Sequence, residues 1–510
     1  MASKASAVET TNPANVVKNS VAIVGREAVS EGYYRSNSVS MGDPDRYTAQ
    51  GGVLTFRSGP LRQNAAYGTV QVEQEQLSVV RAIRTSSLDN KYLGFGYGSQ
   101  PVIVKWYKNI REMMNIDEDF RTKTAMKEVI YPSNDGRIYF VDLEEAIYSR
   151  SPIDVGFPMQ STASVNPYGY PLLYVGQTVD TIAKQKGIVG LRIYNLLDQK
   201  MIGFEPGMNP AAYSEQGAVF SSPIVEASSD TLIYGTKSGM LSTLSMNTDF
   251  DLENAKISID PKLDAYAYKT SLRNAKQGIN SSVAAYGDYV FFGDEAGSIQ
   301  CVDMNTMQCV WAVDMEDSVL ASVSLEIGED GEVYLYAGNV VNKRAASKPV
   351  SLVKLNALTG EIIWKCQSDI KGKYLSAPAK NGIYAGLMAS PLVGKGDIDD
   401  LVIFNVNNVV DDKSSYAVVY ALDKLTGEEV WSQPLDVSSV SSPIAMYAPD
   451  GRSYIVMGDD NGTLRLMDGY TGSTISTVNL GSAIQASPVA YDNRIVVGTT
   501  GGVLYLVDVL

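Results

Sequence analysis

The chain contains no histidine. That absence excludes His-ligated zinc, the Ser-His-Asp nucleophile and most general bases that work near neutral pH. Cysteine is almost as scarce. Only Cys301, Cys309 and Cys366 occur, with no C-x-x-C pair to suggest a metal or redox site. Basic residues are in the minority: 42 Lys and Arg stand against 57 Asp and Glu, a formal net charge of −15. A chain so acidic is poorly suited to phosphate backbones or anionic membrane surfaces. No run of 18 apolar residues occurs, so no transmembrane helix is expected. No basic start followed by a seven-residue apolar stretch opens the chain, so no signal peptide is expected. Charged residues make up 19% and helical patterning is thin, which points to an all-β fold. Two short stretches, 109–115 and 142–148, carry enough helical pattern to be expected as helices.

What is present in quantity is one phrase, repeated. Asn356-Ala357-Leu358-Thr359-Gly360-Glu361-Ile362-Ile363-Trp364 and Asp423-Lys424-Leu425-Thr426-Gly427-Glu428-Glu429-Val430-Trp431 are its sharpest copies. Asp303-Met304-Asn305-Thr306-Met307-Gln308-Cys309-Val310-Trp311 is a third, and Asp468 to Ile475 a fourth that has lost its tryptophan. Each copy reads as strand, tight turn, strand. The Asx side chain caps turn amides, glycine supplies a positive φ, and the aromatic opens an outer strand that covers the seam to the next unit. Repetition at roughly 40–65 residues means a propeller or solenoid.

A second marker precedes the inner strands. It is a pair of small residues, often ending in proline: Gln100-Pro101, Ala163-Ser164, Ser222-Pro223, Ser281-Ser282, Ala321-Ser322, Ser390-Pro391, Ser442-Pro443 and Ser487-Pro488. Small residues suit the crowded axis of a ring, and proline suits the first position of a strand. Eight markers predict eight four-stranded blades. After Ser487 the chain has room for three strands only. The missing outer strand is expected from Leu77-Ser78-Val79-Val80-Arg81-Ala82-Ile83, which would close the ring and hide its edges. The expected organisation is therefore an extended polar tail, 1–50, ahead of a propeller, 51–510.

Three local patterns bear on chemistry. Cys301 and Cys309 flank the turn at Asn305 at matching offsets. Those offsets allow a cross-strand disulfide in an oxidising compartment; the competing reading is two small apolar side chains. Asp397, Asp399 and Asp400 lie in an acidic loop that echoes calcium loops, but the alternating positions around them are Gly and Lys, and a solvated turn is the simpler reading. Tyr92, Tyr97, Tyr168 and Tyr170 would mark a ligand face if they clustered outside; tyrosine in strands otherwise packs. No catalytic, cofactor-binding or metal-binding residue is expected.

The Asx-x-x-Thr-Gly-x-x-x-Trp phrase resembles the PQQ-like β-propeller repeat. The segment Phe56-Arg57-Ser58-Gly59-Pro60-Leu61-Arg62-Gln63-Asn64 resembles the entry segment of such proteins, especially a group of non-catalytic ones in anaerobic Gram-positive bacteria. The resemblance spans about residues 52–510 and is sharpest from Cys301 onward. It implies an eight-bladed ring. It does not by itself imply PQQ, because fold and function separate readily. In the family's dehydrogenases, PQQ and calcium would sit with an adjacent Cys-Cys pair, a tryptophan and an aspartate base. This chain has no adjacent cysteines, and Trp311, Trp364 and Trp431 fall at repeat positions; only Trp106 does not. None of that site carries over.

The expected function is a non-enzymatic scaffold at the cell surface, binding proteins or copies of itself and needing no cofactor. The loops 339–350 and 405–415 are the first places to seek a partner. In the tail, Val21-Ala22-Ile23-Val24 is the one apolar stretch, and it is expected to add as a strand to a neighbouring copy. A carbohydrate- or small-ligand-binding ring and a PQQ-dependent dehydrogenase are the alternatives.

Overall fold

The computed structural model describes residues 4–29, 32–182, 184–272, 277–342, 350–367, 383–409 and 415–510. It is an eight-bladed β-propeller. Blade 1 holds Val102–Lys105, Lys127–Pro132, Arg137–Asp142 and Ile153–Asp154; blade 2 holds Ser164–Val165, Leu172–Gly176, Gly190–Asn195 and Lys200–Pro206. Blades 3 to 7 open on Ile224–Glu226, Ala284–Tyr286, Ser324–Ile327, Leu392–Val393 and Ile444–Tyr447. Blade 8 holds Val489–Tyr491, Arg494–Thr499 and Val503–Val509. Its outermost strand is Leu77–Arg84, antiparallel to Val503–Val509, with Leu77 opposite Val509 and Arg84 opposite Val503.

The repeated phrase shows its purpose at the seams between blades. Asn356 Oδ1 accepts the amides of Leu358 and Thr359, and Asp423 Oδ1 those of Leu425 and Thr426. Gly360 and Gly427 both sit at φ 74°. The preceding blade's tryptophan lies on each of these glycines. A β-carbon on Gly360 would stand 2.7 Å from the Trp311 ring, and one on Gly427 2.7 Å from the Trp364 ring. Each indole then donates to the second residue of the phrase it covers: Trp311 Nε1 to the Ala357 carbonyl (2.9 Å) and Trp364 Nε1 to the Lys424 carbonyl (3.0 Å). Glycine is therefore required twice over, for backbone conformation and for the ring that presses on it. Blade 4 has Met307 at the glycine position, at φ 50°. No tryptophan comes from blade 3, and the buried Met307 side chain fills that space beside Tyr266 and Ala22.

The helix expected at 142–148 is corrected, and the two readings of the cysteine pair are decided. The stretch 142–148 is no helix but a decayed copy of the phrase. Asp142 Oδ1 accepts the amides of Glu144 and Glu145, and Ala146 takes glycine's place at φ 56°. Helix occurs instead as single turns at Lys108–Arg111, overlapping the start of 109–115, and at Glu118–Arg121. Cys301 and Cys309 are free thiols. A bulge between Cys301 and Val302 sets Cys301 opposite Trp311 and Cys309 opposite Val302. The two sulfurs consequently belong to different inter-blade cores.

The N-terminal residues bind their own ring. Val17–Val24 pairs antiparallel with Lys262–Thr270 as a fifth strand of blade 3, and Glu27–Val29 adds a sixth. The apolar run 21–24 thus pairs in cis, with Ala22 buried toward blade 4 and Ile23 toward blade 2. Upstream, the Ser6 amide and the Thr11 hydroxyl reach the blade 5 turn at Leu358 and Thr359. Downstream, Val39 exchanges two hydrogen bonds with the Asn305 side chain.

Candidate functional site

A propeller's chemistry is sought first at its axis, where the inner strands converge. Here the axis is filled by the chain itself. Residues 53–65 run around the inside of the ring and touch the eight blades in order. Val53 pairs with Ile103 of blade 1, and the Leu54 carbonyl accepts from Val165 of blade 2. Thr55 Oγ1 donates to the Pro223 carbonyl of blade 3. The carbonyls of Pro60, Leu61 and Gln63 accept from Ala285, Leu325 and Val393 of blades 4, 5 and 6. Asn64 exchanges two hydrogen bonds with Ala445 of blade 7, and the Ala65 carbonyl accepts from Ala490 of blade 8.

Two arginines anchor this plug. Arg57 donates through Nε to the Arg62 carbonyl and through its Nη atoms to the carbonyls of Gln63, Pro391 and Pro443, at 2.5–3.0 Å. Arg62 donates to the carbonyls of Val283, Ser222 and Phe56 and to Thr55 Oγ1, at 2.6–3.0 Å. Both are buried, and neither joins an ion pair among the described residues. Burial pushes both guanidinium groups down to about 9. The carbonyl dipoles that surround them still favour the charged form at neutral pH.

The marker pairs supply more than small size. Ser282 Oγ accepts the Ser222 amide, Ser322 Oγ the Ser282 amide, Ser442 Oγ the Ser390 amide and Ser487 Oγ the Ser442 amide. Serines pass hydrogen bonds from blade to blade around the axis. Beyond them, the Tyr97 hydroxyl donates to the carbonyls of Leu320 and Met388, and these side chains close the other end with Val440. The cavity left between plug and closure, beneath Phe56 and Tyr97, is about 30 Å³. That holds about one water molecule, whereas ligand-sized sites run to roughly 300–1,000 Å³. A quinone of the PQQ kind does not fit in this cavity.

Other sequence-selected residues take structural places. The Asp397 amide donates to Gly451, the Asp400 carbonyl accepts from Lys424, and the Asp399 and Asp400 side chains face solvent. Among the described residues no group of three or more Cys, Asp and Glu is placed to hold a metal. Trp106 donates to Glu128 Oε2, and Glu128 receives Arg150 in a buried bidentate pair at 2.7 and 3.1 Å. Tyr168, 47% exposed, stands near Tyr170 with ring centroids 6.4 Å apart. The tips of the loops at 339–350 and 405–415 lie outside the described residues, while Val340, in the base of the first, packs at the Tyr97 end of the axis. Sequence reasoning saw the entry segment but not its task. The signal was there, in two arginines five residues apart in a short turn that holds no acidic residue.

One buried acid makes a measurable prediction. Asp294 accepts the amides of Gly297 and Ser298 and the Tyr268 hydroxyl, and burial pushes it up from 3.8 to about 6. A carboxyl raised in the folded state binds its proton more tightly there than in the unfolded chain. Its contribution to stability is present below pH 3.8 and lost as pH rises to about 6. Over that window the loss is about 3 kcal/mol. Asp294→Asn is expected to remove this slope. Urea midpoints of the two proteins should diverge between pH 4 and 6, with the variant the more stable above pH 6; parallel curves would refute it.

Comparison with known proteins agrees with the architecture. The family model described as "Outer membrane protein assembly factor BamB" matches residues 415–510. BamB of Shewanella oneidensis is 25% identical over 340 residues, covering 64% of this chain and 73% of the relative. The crystal structure of BamB from Moraxella catarrhalis superposes with a TM-score of 0.50 at 14% identity, covering 85% of this chain and 99% of that one. Quinohemoprotein alcohol dehydrogenase from Comamonas testosteroni superposes with 0.57 at 12% identity, covering 92% and 82%. At such identities the superpositions speak for fold alone. Phrase, blade count and the match over residues 415–510 agree with the PQQ-like β-propeller repeat.

Proposed function

We propose that this chain is a non-enzymatic propeller of the cell envelope that binds other proteins, with residues 51–510 as the ring and 1–50 as its arm. The observation that carries the reading is the filled axis. A ring whose centre is occupied by its own entry segment offers partners its faces and rim, not its channel. The names of its relatives, outer membrane protein assembly factors, support protein partners and a place in the envelope. Self-assembly would run through exchange of the arm, with Val17–Val24 closing on Lys262–Thr270 of a second copy.

The test sets this reading against the dehydrogenase one. The full chain is incubated with PQQ and calcium, then assayed for dye reduction with primary alcohols. In parallel it is crosslinked within envelope preparations, and conjugates are sized. No dye reduction together with a discrete conjugate is expected. Alcohol-dependent dye reduction would end the non-enzymatic reading.

A further inference from the structure

Arg57 and Arg62 carry two buried positive charges with no carboxylate beside them among the described residues. Both line an open pocket of about 370 Å³ on the plug face of the ring. Tyr47, Ser58 and Tyr447 are among its lining residues. Tyr47 Oη accepts the Val225 amide (3.1 Å) and Tyr447 Oη accepts the Lys395 amide (2.9 Å). Each keeps its own O–H to donate, and among the described residues no acceptor is bonded to either. Among the described residues Ser58 Oγ is buried without a partner. Asp45 on the lining, Glu226 near Tyr47 and Asp397 near Tyr447 are the carboxylates of the neighbourhood, and none of them pairs with either arginine. Carbonyl dipoles satisfy the guanidinium hydrogens but cannot neutralise them.

We propose that this pocket takes the carboxylate of an acidic side chain presented by a protein partner. The inference rests on the docking reading above and names its site. Tyr47, Tyr447 and Ser58 supply the donors, and the two arginines supply the field. Lys395 and Asp45 stand on the rim with opposite charges. A free small acid is disfavoured as the natural occupant by shape. The pocket continues past Leu61, Gln63 and Val393 into a second depression of about 490 Å³, a trough longer than one small molecule. That second depression carries Glu326, Glu329, Asp399 and Asp400, so a run of carboxylates would be repelled there. The matching segment presents one isolated acid. The chain's overall negative charge opposes binding only weakly, because salt at physiological strength screens it beyond about 8 Å.

The experiment titrates the full chain by calorimetry with acetyl-Ala-Glu-Ala-amide, its Gln counterpart and sodium acetate at constant ionic strength. Saturable binding of the Glu peptide is expected, at least tenfold tighter than the Gln peptide and than acetate. Tyr447→Phe should weaken it several-fold with circular dichroism unchanged, while Tyr470→Phe, on an exposed turn, should not. Arg57 and Arg62 stay intact, because the fold depends on them. Equal binding of Glu and Gln peptides, no binding, or an indifferent Tyr447→Phe would overturn the carboxylate site and leave the docking reading to its own test. Acetate binding as tightly as the peptide would overturn the assignment to a protein partner.

Discussion

Arg57→Met is expected to lower the stability of the whole ring by about 3–5 kcal/mol, read as an earlier midpoint in urea by tryptophan fluorescence. Two effects compete. Removing an uncompensated buried cation relieves its desolvation, which favours the variant. It also strips the donor from the carbonyls of Arg62, Gln63, Pro391 and Pro443. Each buried carbonyl left without a donor costs roughly 1–3 kcal/mol. Pro443 is left with no donor among the described residues, Arg62 and Pro391 with the single Ser324 hydroxyl between them, and Gln63 with a long bond from the Val393 amide. Together with the cavity left by the shorter side chain, these losses outweigh the relief. The loss is also shared: Pro391 and Pro443 begin the inner strands of blades 6 and 7, so the plug's grip on both goes together. Arg57→Lys separates charge from geometry. Lysine keeps the cation but concentrates its donors on one atom, and it cannot span carbonyls on two blades. It should therefore lose nearly as much as methionine. A lysine variant as stable as the parent would show that charge, not the fork, holds the plug; an unchanged methionine variant would show that the plug is ornamental.

How far this was legible beforehand depends on the kind of interaction. The blade count was open to reading because the markers and phrases are local. Asn356, Thr359, Gly360 and Trp364 lie within one turn, and their roles follow from backbone chemistry. Ser222, Ser282 and Ser322 could be seen as small residues at a crowded centre. The Ser282 and Ser322 hydroxyls accepting amides from the neighbouring blade could not, because that depends on how far the strands are staggered. Asp142 was misread for a related reason. With Ala146 in place of glycine, the segment has lost the residue that punctuates a turn, and two adjacent glutamates give it helical colour. The cysteine pair shows the limit of counting offsets. One bulged residue between Cys301 and Val302 moves every later partner by one. The candidate pocket was least legible of all. Tyr47, Arg57 and Tyr447 come from an arm, a plug and blade 7, and only closure of the ring brings them together.

The arm gives the second large prediction. Deleting residues 1–50 is expected to destabilise the ring and enlarge its particles in light scattering. The deletion removes Ile23, Val39 and Met41 from inter-blade cores in which each is buried. At roughly 1.5–3 kcal/mol for each buried side chain of this size, their loss alone is comparable with the whole stability of many domains. It also uncovers Lys262–Thr270, a nine-residue strand whose Tyr266, Ala267 and Tyr268 are fully buried in the intact protein. A long, apolar, unpaired edge recruits other edges. The first effect lowers the melting temperature and the second makes the shortened protein aggregate, so both should appear together and worsen with concentration. Ile23→Ala serves as the milder companion. It keeps the edge covered while opening a cavity, and should cost about 2–5 kcal/mol without changing particle size. The size measurement decides between two roles for the same strand. If Val17–Val24 closes its own blade, deletion drives particles up from a single-chain size. If it links copies, the intact protein starts large and deletion brings it down. Pairing of Ala22 with Tyr266 and of Ile23 with Ala265 within one chain favours the first outcome.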